Sequence, residues 1–249
     1  KLDDDEKRIM DNRSGNEFAL LDDRFLEAPS LAVEHCKQVI NKMADISRES
    51  LFISMSLIGG YDEEQALRVG ELETRADKYE DALGTYIMKI STKNLKKEDS
   101  EMLNVMLHCI GDFERISDYA CNLCDSAREL QQKNMQFSPK AETELDILSS
   151  AVREAVDISF DAFKSNNKNE ADKVEPLEEL IDTLAVELKA RHIRRLREGK
   201  CTIELGFAHS DILNNLERVA DHCSNIAVDV IQSDQLEFDA HEYLDRIKN

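Results

Sequence analysis

The sequence predicts an all-α protein made of two tandem, pseudo-symmetric three-helix bundles, with six long helices in total. Three observations carry this prediction. Only three prolines and eight glycines punctuate 249 residues, too few for a sandwich or barrel that depends on many tight turns. Apolar residues recur at the 3-4 spacing of buried helical seams, for example Leu72, Ala76, Tyr79, Leu83, Tyr86 and Ile90. The second half also repeats the first. FERISDYACNL (113–123) aligns with LERVADHCSNI (216–226) at an offset of 103 residues, and LETRAD (72–77) with LEELID (177–182) at an offset of 105. Agreement of the two offsets marks an internal duplication.

The elements follow in order. Residues 1–27 are charged and weakly patterned, and read as a linker or tether that orders toward its end. The first repeat covers 28–136 and the second 137–249. A first helix is expected over 30–58, after Pro29 and before Gly59-Gly60. A second opens at Asp62, with Gln65 as its capping-box partner, and ends near 91. A third spans 98–134. The fourth starts with Ser138 as N-cap and Pro139 in the first turn, and ends in the polar run 165–169. A fifth is expected over 170–198, stopped by Gly199, a sixth from 202 to about 233, and a short last helix over 239–247. Helices of about 30 residues are about 45 Å long, and bundle packing is what buries such elements.

One motif recurs four times: an apolar residue, Glu, two variable residues, an apolar or small residue, then Asp. The pairs are Glu73 and Asp77, Glu114 and Asp118, Glu178 and Asp182, and Glu217 and Asp221. They lie on the second and third helices of each repeat. Every one follows a seam position by one residue, so all eight carboxylates flank the core with the same handedness. Glu and Asp at i, i+4 share a helix face. Two such helices packed together would bring four carboxylates to one groove. A single pair of this kind is most often a solvated surface pair. Four copies in register suit a hard divalent or ferric cation. Asn122 and Asn225, four residues after an Asp, could add a carbonyl ligand or orient a carboxylate. Arg115 and Arg218 could pair with the carboxylates in the absence of metal. No Glu-x-x-His accompanies the motifs, which argues against di-iron oxygen chemistry.

Other candidates read as structural. His222 follows Asp221 but points about 100° away, as a packing or hydrogen-bonding residue. His192 lies in the basic run ARHIRRLREGK (190–200), which reads as a solvated helix end complementing the dipole. Cys121 and Cys124 sit at i, i+3 with no second pair, and read as packing residues. The six cysteines read as reduced thiols. No nucleophile elbow, P-loop or dinucleotide fingerprint is present, so no enzyme is expected. A formal charge of −20 disfavours nucleic acid as a partner, because phosphate binding needs cationic neutralisation.

At these motifs the chain resembles the PhoU family, whose hallmark is a repeated E/D-x-x-x-D motif on a duplicated three-helix bundle. The resemblance is nearest to the PhoU-like cytoplasmic domain of bacterial sodium/phosphate cotransporter-family proteins. It rests on 21–35, 71–91, 111–123 and above all 174–227. It implies a regulatory, non-enzymatic role in phosphate transport, restraining or sensing, at the cytoplasmic face of the plasma membrane. The partner implied is the chain's own transmembrane transporter domain, with the acidic N-terminal segment as tether. The alternative is a stand-alone PhoU-type regulator acting on a transporter or sensor kinase. A homodimer is a further expectation. In the family the motif carboxylates can hold iron or zinc clusters, and the resemblance carries those roles over to Glu73, Asp77, Glu114 and Asp118 in one repeat and to Glu178, Asp182, Glu217 and Asp221 in the other.

Overall fold

A computed structural model describes residues 17–233. Six long helices account for most of them: α1 (Pro29–Leu57), α2 (Glu63–Ser91), α3 (Lys97–Gln132), α4 (Pro139–Ser165), α5 (Val174–Arg197) and α6 (Ile203–Ile231). The helix ends follow local chemistry. The Asp62 carboxylate accepts from the Gln65 N–H at 2.9 Å and so caps α2. The Ser138 hydroxyl accepts from Ala141 N–H, with Pro139 at the start of α4. Asn166 takes a left-handed conformation (φ 50°) to close α4, and Gly199 does so (φ 67°) after α5. The expected C-terminal helix over 239–247 lies outside the described residues.

The fifth helix departs from expectation. A single helical turn, Lys168–Ala171, is broken at Asp172 and Lys173 before α5 begins at Val174. The cause is Pro176. It has no N–H for the Asp172 carbonyl, and its ring would crowd that carbonyl in a continuous helix. Within the first turn of α5 the missing donor costs nothing, because those N–H groups have no intrahelical partner.

The end of the charged N-terminal segment is tied to the bundle. Residues 19–21 and 23–27 form two short 3₁₀ turns. Phe18 packs edge-on against Tyr79 with ring centroids 4.9 Å apart. Tyr86 donates its hydroxyl to the Asp22 carbonyl at 3.0 Å, and Lys89 pairs with Asp23 at 2.9 Å.

Helices α1, α2 and α3 pack on one another, as do α4, α5 and α6, and α3 against α6 joins the two units. Asp112 of α3 meets His222 and Asn225 of α6, while His108 near the start of α3 meets Asp229 near the end of α6. The two helices are therefore antiparallel. Tyr119 and His222, equivalent in the repeat, place their rings 5.6 Å apart where the pseudo-twofold relation crosses. One core runs through both units. Phe113 of α3 stands edge-on to Phe160 and Phe163 of α4, at 4.8 and 5.1 Å. The α2 seam named above is buried throughout, as are Phe113, Ser117 and Ala120 of α3 and Leu216, Ala220 and Cys223 of α6. On α5, Ile181 and Leu188 are buried, but Leu177 and Leu184 only partly so.

His192 also departs from expectation. It does not belong to a solvated helix end but is 5% exposed, stacked on His209 inside the second unit. The run of arginines hid it. Counting at 3.6 residues per turn from Leu188 places His192 one turn further along the buried face. His222, as read from its phase, is a hydrogen-bonding residue: its Nδ1 lies 2.7 Å from an Asp112 oxygen. No helix among the described residues is long and apolar enough to cross a membrane.

Candidate carboxylate sites

The motif residues emerge between α2 and α3 in the first unit and between α5 and α6 in the second. Buried seam residues fix their phase. Leu72 and Ala76 are fully buried, so Glu73 and Asp77, each one residue on, stand at the rim of the α2–α3 contact. Phe113 and Ser117 do the same for Glu114 and Asp118, and Leu216 and Ala220 for Glu217 and Asp221.

Six of the eight carboxylates come together in two equivalent trios. Glu73, Asp77 and Asp118 each offer an oxygen within 4.8 Å of the others, and so do Glu178, Asp182 and Asp221. In both trios the middle residue, Asp77 or Asp182, is exposed and the other two are half-buried. Crowded anions at a partly desolvated rim resist ionisation. Burial, then the charge of Asp77, raises the Glu73 carboxyl above its usual range. Burial, then Asp118, raises Asp77. Burial, then Asp182, raises Glu178.

The other two predicted ligands stand one turn away and differ between the units. Glu114 is half-buried beside Asp118 and Glu80, and burial followed by those charges pushes its carboxyl up to about 8. Glu217 is instead ion-paired with Lys189 of α5. The repeat offset puts Gly84 where the second unit has Lys189, so the first groove lacks this neutralising cation. Arg115 and Arg218 fill the equivalent roles expected of them, pairing with Asp118 at 3.3 Å and with Asp221 at 3.4 Å.

The predicted outer ligands are placed elsewhere. Asn225 donates to Asp112 at 3.2 Å, across the contact between the units and away from the second trio. It is turned there because Asp112 also holds His222, one turn back on the same face. Asn122 lines a groove shared with Asp125, Asp211, Asn214 and Asn215. The sequence reading missed Asn214, which lines the opening formed by Asp182, Glu217, Arg218 and Asp221. Its signal was available: it lies three residues before Glu217 and seven before Asp221, on the same helical stripe. It also missed Glu80, three residues after Asp77, and Lys189, seven residues after Asp182. All six cysteines are free thiols. Burial, then the charge of Glu73, pushes the Cys121 thiol to about 12, so it stays protonated beside the first trio.

Three carboxylate oxygens within reach of one point form a donor set that a hard or borderline cation would accept. Arg115 and Arg218, paired with Asp118 and Asp221, offset part of the carboxylate charge. Among the described residues, the arrangement pairs no nucleophile with a base.

A family model described as "PhoU domain" matches the chain twice, over residues 40–127 and 145–230. The phosphate-specific transport system accessory protein PhoU homolog 1 of Thermotoga maritima is 25% identical over 78% of this chain and 84% of its own length. A PhoU homolog from Xylella fastidiosa is 23% identical over 77% of this chain and 80% of its own. The crystal structure of PhoU from Pseudomonas aeruginosa superimposes with a TM-score of 0.75 at 21% identity, covering 83% of this chain and 97% of that one. That of the phosphate transport system regulatory protein PhoU from Streptococcus pneumoniae gives 0.74 at 15% identity, covering 84% and 100%. At these identities the two structures establish the shared fold.

Proposed function

The chain belongs to the PhoU domain family, and from that premise we propose that it is a regulatory accessory protein of phosphate transport, acting on a separate transporter or sensor kinase. The carrying observation is the double match to the PhoU domain, with a carboxylate trio at the same register in each copy. The named relatives, matched over four-fifths or more of their own length, are accessory proteins of a phosphate-specific transport system. The reading as the regulatory half of a sodium/phosphate cotransporter draws no support from them.

We propose further that each trio is a cation site, with Glu73, Asp77 and Asp118 as ligands in one unit and Glu178, Asp182 and Asp221 in the other. Iron or zinc is the cation the family resemblance implies. Glu114 and Glu217 would then act from one turn away, by charge rather than by ligation.

The test is phosphate uptake in bacterial cells deprived of their own PhoU-type protein, with and without this chain. Expression of the wild-type chain should restrain uptake, and the double variant Asp118→Asn/Asp221→Asn should restrain it less. Unchanged uptake with a folded, well-expressed wild-type chain would remove the regulatory reading. Equal restraint by the variant would separate regulation from the carboxylate sites.

A further inference from the structure

The end of the second unit is built differently from the end of the first. His192 of α5 and His209 of α6 stack with centroids 4.4 Å apart and planes 15° from parallel. They are 5% and 1% exposed. The repeat supplies its own comparison. At offsets of 105 and 103 residues the first unit carries Ile87 and Met106, both fully buried. Facing the histidines, α4 contributes Glu144, where the 105 offset gives the fully buried Val39. Three polar side chains thus occupy positions that are apolar in the duplicate, and burying polar groups is costly unless each finds a partner. Here the partners are incomplete: His192 Nδ1, His209 Nε2 and Arg195 Nη2 are buried without a hydrogen bond.

The ionisable groups around the stack leave no acceptor for an added proton. From α4 comes Glu144, whose oxygens are taken by Arg191 at 3.3 Å and Arg195 at 2.7 Å. From α5 come those two guanidinium groups. From the α5–α6 loop comes Cys201, its sulfur 3.6 Å from His192 Nε2 and its thiol raised by burial, hence neutral. From α6 comes only His209, its other side covered by Phe137. The backbone closes in as well, since a Cβ at Gly206 would lie 3.1 Å from His192 Nε2. A charge on either ring would face the other ring and Arg195 with little water.

We propose that the His192–His209 stack is an acid-sensitive latch: it holds the α4–α5–α6 end of the second unit closed while both rings are neutral, and releases that end by taking up protons, whereas the matching apolar end of the first unit stays closed. The linkage has a definite sign. Burial and the neighbouring cation hold His192 below its ordinary range, and burial with His192 and Arg195 brings His209 down to about 4. Once opened, each ring titrates near 6.5. The latch is therefore fully closed above about pH 6.5 and loses its hold as pH falls from there toward the closed-state values. Each proton taken up multiplies the opening constant by about ten per pH unit. Between about pH 5 and 6.5 the Glu144 carboxyl, kept below its usual range by its two arginines, does not titrate.

Hydrogen exchange of the intact chain, corrected for intrinsic rates, tests this across that window. Peptides covering 188–212 should open by up to about a hundredfold more per pH unit on acidification, a factor of about ten from each ring, and peptides covering 83–106 should not. The variant His192→Ile/His209→Met, which copies the first unit, should lose the response. His209→Gln, which keeps a polar side chain but cannot titrate, should lose about half of it and serves if the double variant fails to fold. An equal acid response at both ends, or a wild-type response retained in either variant, would overturn the proposal.

Discussion

Between Glu114 and Glu217, one neighbour decides what an equivalent carboxylate does. Glu217 has Lys189; Glu114 has Glu80 and no cation beyond the exposed Arg115. Like charges at a half-buried rim repel, and a bound cation relieves that repulsion more where more of it is uncompensated. Above about pH 8, where Glu114 is ionised, the first trio should therefore bind zinc more tightly than the second, by on the order of tenfold. Equilibrium dialysis against zinc, read by elemental analysis, should show the tighter site vanishing in Asp118→Asn and the weaker one in Asp221→Asn. Equal affinities would assign no role to Glu80 and Glu114. The sequence showed the eight carboxylates and their phase, because phase follows from period alone. It did not show that Glu114 and Glu217 fall outside the trios. That depends on how far the paired helices slide along each other, which a one-dimensional pattern does not encode. Asn225 was misassigned for a related reason, since its partner Asp112 comes from the other unit.

At the scale of elements, helix starts were legible wherever a side chain closes a local ring. Asp62 and Ser138 both cap as read. Replacing Asp62 with Ala removes the acceptor for Gln65 N–H and one anion from the positive end of α2. The cost should be about 1 kcal/mol, seen as a lower midpoint in urea with an unchanged slope. A smaller loss than a few tenths would mean that water or Glu63 takes over the cap. The boundary that failed, the start of α5, turned on a proline weighed too lightly inside an otherwise helical pattern. The buried His192 failed differently. Its basic neighbours gave a composition signal that outvoted the periodicity, although Arg191 and Arg195 are themselves spent on Glu144.

For the molecule as a whole, the duplication was legible, but the fusion of the two cores was not. Phe113 belongs by sequence to the first repeat, yet its ring meets Phe160 and Phe163 of the second. The units are thereby coupled, and Phe113→Ala should cost about 3–5 kcal/mol. Helicity and a probe placed in the second unit should lose stability together, in one shared transition. Two separated transitions, with only the first moved, would show that the repeats fold independently.

The antiparallel α3–α6 contact makes this chain resemble a twofold dimer whose subunits have been joined end to end. In a dimer of identical subunits, every substitution appears twice, related by the axis. A pair of histidines at one pole would necessarily appear at the other as well. Joining the copies lifts that constraint. One half can keep Ile87 and Met106 for cohesion while the other holds His192 and His209, and one groove can carry Lys189 where its twin has none. The polarity of the molecule, with one pole responsive and one inert, is available only because its symmetry is inherited within a single gene and so is free to decay.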